Sequence, residues 1–401
     1  MSDAVGKHVA FSKQHAERKG WSRKDYINLA YPGDIVKMLE ARGIKLPHSR
    51  NSRTEDSKTT AEDALNQIYA ETGDEITMEI LHAREYSKIL GTYINVRLHN
   101  GILYSSYSVT GTVTGRRSSR KNIFGYGTNA QNIPKHSELG KRFRSCIIAR
   151  PGRVFVSGDQ IQAEDWITSG LIADVGGDFT GLNELIQGID RHRKLASLLF
   201  SRPEIECGKD TPERFMGKKT RHAGNYDMGP DEMARQMVME GKTSVTVGLC
   251  RHLLEIFHAE NPGIRGVFHK YVQNQLSTTR SLLTPFGRQR IFLGCRPFSD
   301  NRKVFKEAYS FIPQSTVGDN TGLGILYCEC NQPGLVIMDG HDSIVLEVED
   351  DPDSVSCGLQ LLADAFDRKI TFPNGLEIQI PIEFEVGKDL AHMTEAHAAE
   401  G

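Results

Sequence analysis

Arg153-Val154-Phe155-Val156-Ser157 is followed directly by Gly158-Asp159. A β-branched and aromatic run halted by a turn pair predicts a buried strand over 153–157 that stops at the Gly-Asp step and leaves an acid at the sheet edge. Far downstream, residues 335–338 and 344–348 are two short β-rich runs joined by Asp339-Gly340-His341-Asp342-Ser343, which predicts a hairpin with an acidic tip. Residues 102–113 alternate and carry β-branched side chains, so paired strands are expected there as well. Residues 160–275 show apolar stripes at helical spacing, as do 33–45 and 75–98, and the polar, turn-rich stretch 47–60 reads as a linker. An antiparallel sheet interrupted by a helical insertion makes the fold class α+β and excludes a doubly wound sheet.

At 401 residues the chain exceeds what one hydrophobic core usually serves, so two or more packed subdomains are expected. Hydrophobic residues at 38% and charged residues at 25% are those of a globular protein, not a disordered one. The first residues, MSDAVGKHVA, are polar, and no apolar run approaches the ~20 residues of a membrane span. A cytoplasmic protein without a membrane partner is the expectation. Seven cysteines without a CxxC pair suggest neither a disulfide framework nor a zinc site. The net charge is only −2, yet residues 115–153 hold ten cations (Arg116, Arg117, Arg120, Lys121, Lys135, Lys141, Arg142, Arg144, Arg150 and Arg153) against one acid, Glu138. Such a run is either a solvated surface or a footprint for a phosphate backbone.

Asp159 and Asp342 both fall at the ends of predicted strands. Aspartate there is usually a turn former, but two carboxylates on a rigid sheet edge can also hold two divalent cations about 3.5–4 Å apart. Such a pair serves phosphoryl transfer, where positioning and charge neutralisation supply most of the rate. Hard oxygen ligands suit magnesium. Thr211-Pro212-Glu213 reads as a helix start, with Thr as the cap and Pro at the first position, and Gly229-Pro230 as its stop. Between them Arg214, Lys218, His222 and Tyr226 recur every four residues and share one face, two cations followed by two rings. That face suits a nucleoside triphosphate, although a solvated basic helix has the same pattern. Gly217 and Gly224 each cost about 1 kcal/mol in a helix interior, which implies close approach by substrate or a neighbouring strand.

With these motifs in order, the chain resembles the family A DNA polymerases over roughly residues 25–395. Thr114-Gly115-Arg116 with Ser118-Ser119, and then Asn129-Ala130-Gln131-Asn132-Ile133-Pro134, resembles the signature that opens the family's palm. Residues 158–164 (GDQIQAE) resemble motif A, the fingers helix motif B, and His341-Asp342 motif C. The resemblance implies that Asp159 and Asp342 are catalytic and bind two Mg2+ ions, with Gln160 also at the metal site. It assigns nucleotide binding to Gln162, Glu164, His192, Arg214, Lys218, His222 and Tyr226, with Glu164 excluding a ribose 2'-hydroxyl. Arg116, Gln131, Asn132, Arg288 (in TPFGR, 284–288), Gln314 and His341 would contact primer-template DNA. Residues 381–389 (PIEFEVGKD) resemble the family's closing strand.

The implied architecture is a right hand: partial thumb 1–98, palm 99–180 and 281–401, and fingers 181–280. The implied activity is template-directed addition of deoxynucleotides to a primer, without a proofreading exonuclease in this chain, with weak processivity and with replication accessory proteins as further partners. Several positions depart from the pattern. Ser343 stands where motif C has glutamate, His222 where motif B has another aromatic, and Asp227 where the family has glycine; Gln160 and Asp165-Trp166 also differ, and the loop from Ser119 to Asn129 is longer. These departures keep two other readings in view: a degenerate polymerase that only binds DNA or a partner, and a single-subunit RNA polymerase.

Overall fold

The computed structural model describes residues 31–46, 58–61, 64–65, 68–69, 72–109, 111–135, 138–209, 211–241, 245–296 and 301–398. The chain divides into two units, Met1–Val96 with Asp231–Val247, and Arg97–Pro230 with Gly248–Gly401.

In the smaller unit, α1 (Pro32–Ala41) starts with proline at its first turn, and α2 (Glu75–Ile89) is capped by Asp74, whose Oδ1 accepts from the Ile76 amide at 3.0 Å. Ile35, Leu39, Leu65, Ile68 and Ile80 bury their side chains together. The helix expected to reach 98 stops at Ile89 and passes into a π-helical turn, Leu90–Ile94, that contains Gly91. Most of the linker 47–60 lies outside the described residues.

The larger unit is organised by a five-stranded antiparallel sheet. Its chain begins with a small hairpin of β1 (Ser106–Ser108) and β2 (Ser118–Arg120), so only part of the expected 102–113 strand region is paired. The sheet itself comprises β3 (Arg153–Gln160), then β6 (Val336–Asp339), β7 (Ser343–Glu349), β10 (Ile382–Gly387) and β11 (Thr394–Ala396), with β3 between β10 and β7. The short pairs β4 (Ser281–Leu283) with β5 (Gln289–Ile291), and β8 (Ile370–Thr371) with β9 (Glu377–Ile378), lie outside it.

Strand β3 is apolar on both faces because both are covered. Val154 and Val156 pack with Ile344, Leu346, Leu362 and Phe366, while Phe155 faces the other way with Val345 and Leu390. The strand does not stop at Gly158-Asp159 as expected. Asp159 still pairs with Ser343 on one side and Glu383 on the other, and a ladder satisfied on both edges carries the strand through to Gln160. The chain then turns at Gln162, which adopts a left-handed backbone with φ 49°.

The helices that follow β3 are α3 (Ala163–Gly176), α4 (Arg191–Phe200), α5 (Pro212–Asn225) and α6 (Val247–Glu260); α7 (Phe311–Asn331) precedes the β6–β7 hairpin and α8 (Pro352–Phe366) follows it. Thr211 caps α5 as expected, its hydroxyl accepting from the Arg214 amide at 3.2 Å. The stop differs. Helix α5 ends at Asn225, Tyr226 is its cap, and Gly229-Pro230 instead opens the next helix, Pro230–Gly241, because proline at a first position has no orphaned N–H to satisfy.

Candidate active site

Register, not sequence proximity, builds the centre of the site. Asp159 on β3 faces Ser343 across the ladder, so Asp342, one residue ahead of β7, lies next to it, and the Asp342 carbonyl accepts from the Gln160 amide at 3.1 Å. Burial, reinforced by the negative charge of Asp342, raises the Asp159 carboxyl to about 7; Glu383 and Glu385 push the same way and Lys135 opposes them. A carboxyl raised by burial beside a second acid fits a divalent cation, whose charge would relieve both the desolvation and the repulsion. Among the described residues no cluster of three or more His, Cys, Asp or Glu side chains is arranged to hold a metal.

Strand alternation turns Gln160 the other way. Its buried amide donates to Thr321 Oγ1 at 2.9 Å and to the Asp342 carbonyl at 3.2 Å, and accepts from Asn320 at 2.8 Å. Thr321 Oγ1 in turn donates to the His341 carbonyl at 3.0 Å. The Gln160 side chain therefore braces the turn that carries Asp342. Ser343 is buried, and a Cβ on Gly340 would lie 2.0 Å from its hydroxyl, so this turn is closed around a small side chain.

Helix α5 supplies the basic face. Arg214 is paired with Asp190 at 2.8 Å, Lys218 is exposed, and His222 and Tyr226 meet edge to face with centroids 4.9 Å apart. Tyr226 is buried and its hydroxyl donates to Glu164, which also binds the Arg116 guanidinium and lies 3.9 Å from the His222 Nδ1. Burial and the Glu164 carboxylate push the Tyr226 phenol well above its ordinary value, so it stays a donor. His192 is held neutral, its imidazole lowered to about 4 by burial. Gln162 spends its amide on the backbone, donating to the Ile189 carbonyl at 3.1 Å and accepting from the Arg191 amide at 3.0 Å, so its side chain serves the α3–α4 connection.

The residues expected on the DNA side are spread through the same unit. The Gln131 carbonyl accepts from the Ser119 amide at 3.0 Å, Asn132 is exposed at the end of a short 3-10 turn, and Arg288 forms a two-pronged pair with Asp319 at 2.6 and 2.9 Å. Gln314 is half-buried on α7, and His341 sits in a left-handed turn with φ 79°. Arg116 Nε, Gln131 Nε2, His192 Nδ1 and His341 Nδ1 are buried without a hydrogen-bond partner among the described residues. Each such atom costs about 1–3 kcal/mol, which a polar ligand reaching it would recover.

Residues 2–392 match DNA polymerase family A. The chain belongs to that family. DNA polymerase I of Deinococcus radiodurans is 25% identical over 360 residues, covering 86% of this chain and 34% of that protein. DNA polymerase I of Chloroflexus aurantiacus is 27% identical over 344 residues, 82% of this chain and 33% of that protein. The chain thus spans about a third of the length of the curated relatives it matches. A solved structure described as the POL domain of Pol1 from M. smegmatis in complex with DNA primer-template and dNTP superposes with a TM-score of 0.72 at 21% identity, over 96% of this chain and 65% of that one. The α+β fold with its antiparallel palm sheet is that of a family A polymerase domain.

In this family A chain, sequence reasoning missed a buried ionic set behind the basic helix. Asp165 is buried, accepts from Asn225 at 3.0 Å and lies 3.4 Å from Arg221 and 3.8 Å from Arg191; Arg191 also binds Glu184 at 2.9 Å. Burial would raise the Asp165 carboxyl, but Arg221 and Arg191 hold it below its ordinary value. The available signal was Asp165-Trp166 itself, an acid set directly before the apolar Trp166-Ile167 pair of α3. The close approach expected at the helix glycines is to other side chains and backbone, not to substrate or a strand. A Cβ on Gly217 would lie 2.5 Å from the His192 carbonyl, and one on Gly224 would lie 2.1 Å from the Phe257 ring. The basic run 115–153 is also partly spent internally: Arg117 binds Asp339, Arg150 binds Glu347 and Arg153 binds Glu349.

Proposed function

We propose that this chain is a template-directed DNA polymerase that adds deoxynucleotides to a primer 3' end. The observation that carries the reading is the strand register that sets Asp159 on β3 beside Asp342 just ahead of β7, within the same unit as the α5 face. Magnesium, when bound, would neutralise charge on the attacking and leaving oxygens. The protein's own part is to position the groups. Asp159 and Asp342 hold the cations at the ends of adjacent inner strands, which cannot retreat. Arg214, released from Asp190, and exposed Lys218 take phosphate oxygens, and neutral His192 offers a hydrogen bond. Glu164, fixed by Arg116 and Tyr226, blocks a 2'-hydroxyl, while His222 and Tyr226 shape the nascent pair.

In this reading residues 99–180 and 281–401 are palm, 181–280 fingers and 1–98 partial thumb, and Arg116, Gln131, Asn132, Arg288, Gln314 and His341 meet the primer-template. No helix among the described residues is long and apolar enough to cross a membrane. The test is primer extension with magnesium. Asp342→Asn should abolish extension while primer-template affinity stays within about two-fold. Extension at the wild-type rate would refute the assignment, and inert wild-type protein that still binds DNA would favour the degenerate alternative. Preference for ribonucleotides would favour the RNA polymerase reading.

A further inference from the structure

The longer loop between Ser119 and Asn129 takes no part in the site described above, yet it is built with care. Asn122 Oδ1 accepts from the amides of Phe124 and Tyr126, each at 3.0 Å, while the Asn122 carbonyl accepts from Gly125 at 3.0 Å and the Tyr126 carbonyl from Asn122 at 2.9 Å. Its base is clamped. Gly127, at φ 81°, lies so close to Tyr104 that a Cβ would come within 1.8 Å of the carbonyl oxygen, and the Tyr126 ring is covered by the Arg97 guanidinium at 4.3 Å and met by His99 at 5.2 Å. This fixed turn presents Ile123 at 90% exposure and Phe124 at 71%. Single exposed apolar residues are common, but an adjacent pair held out on an ordered turn spends burial energy that folding does not recover.

The surroundings say what would cover the tip. Residues 97–135 contain Arg97, Arg116, Arg117, Arg120, Lys121 and Lys135 and no acid. Arg116 and Arg117 are paired internally, but Arg120, Lys121 and Lys135 are exposed. Arg116 on this strip binds Glu164, which follows Asp159 by five residues at the start of α3, so the strip reaches the site that holds the aspartate pair. The loop is tied to that strip through Ser119, which bonds Gln131 at 3.0 and 3.2 Å. An apolar tip flanked by cations fits a nucleic acid, with phosphates taken by the cations and the apolar pair wedged at base steps in the shallow side of a duplex.

We propose that the Asn122–Tyr126 turn is a wedge that seats Ile123 and Phe124 in the minor groove of the primer-template duplex next to the aspartate pair. This rests on the polymerase reading, and the experiment separates the two. In the full chain, Ile123→Ser with Phe124→Ser should weaken primer-template binding, read by fluorescence anisotropy, about ten-fold. Single-turnover incorporation at saturating DNA should keep the wild-type rate, since neither residue belongs to the catalytic machinery. Arg120→Ala with Lys121→Ala should flatten the dependence of log affinity on log salt by about two. A photo-crosslinker in place of Phe124 should label duplex nucleotides behind the primer terminus. Unchanged affinity in the double serine variant, or crosslinks only to a second protein molecule or to single-stranded template, would overturn the proposal. Absence of incorporation by wild type would sink the polymerase reading instead, with the anisotropy and crosslinking results still deciding the wedge.

Discussion

Replacing Asp159 by asparagine should make the protein more stable while destroying its chemistry. The folded chain holds this carboxyl at about 7 instead of 3.8, first through burial and then through Asp342. Because the folded state binds the proton more tightly than the unfolded chain, stability falls as pH rises from about 4 to 7 and the whole penalty persists above 7. At about 1.4 kcal/mol per pH unit the ceiling is roughly 4 kcal/mol, and sharing of the repulsion with Asp342 brings the expected value to about 2–4 kcal/mol. Asn is isosteric and neutral, so in metal-free buffer at pH 8 the variant should melt roughly 4–8 °C above wild type. The gap should shrink on acidification and vanish near pH 3. Excess magnesium should raise the wild-type melting point at pH 8 and leave the variant nearly unmoved. Scanning calorimetry across pH, with and without magnesium, is the assay. A variant equal to or less stable than wild type at pH 8 would show that the two carboxylates do not share one desolvated site.

Asp165→Ala should cost about 3–5 kcal/mol, because Arg221 and Arg191 would be left buried beside a missing partner, and urea denaturation measures it. Gly217→Ala should cost about 1–3 kcal/mol by driving a methyl into the His192 carbonyl. Since α4 and α5 carry His192, Arg214 and Lys218, the same change should raise KM for deoxynucleotides more than it lowers kcat, as steady-state kinetics will report. Glu164→Ala, which unseats the partner shared by Arg116 and Tyr226, should raise ribonucleotide incorporation about ten- to hundred-fold relative to wild type; equal discrimination in the variant would remove Glu164 from sugar selection.

The parts of this protein legible in its sequence are those set by short-range physics. The run at 153–157, the Thr211-Pro212 helix start and the hairpin around Asp342 declare themselves because strand propensity, capping and turn chemistry act within a few residues. The four-residue repeat from Arg214 to Tyr226 likewise predicted one face. Ordered motifs along the chain pointed to the family. Facing and pairing needed the fold. The Gln160 side chain braces the turn that carries Asp342 because β3 runs three residues farther than its composition suggested, held by ladders on both edges. Gly217 and Gly224 answer to a carbonyl and a ring from distant helices, and Asp165 answers to Arg191 and Arg221. Local sequence fixes which backbone each segment prefers, whereas the meeting of Asp159 with Asp342, and the rise of the Asp159 carboxyl that follows, exists only once the register of β3 against β7 has brought the two together.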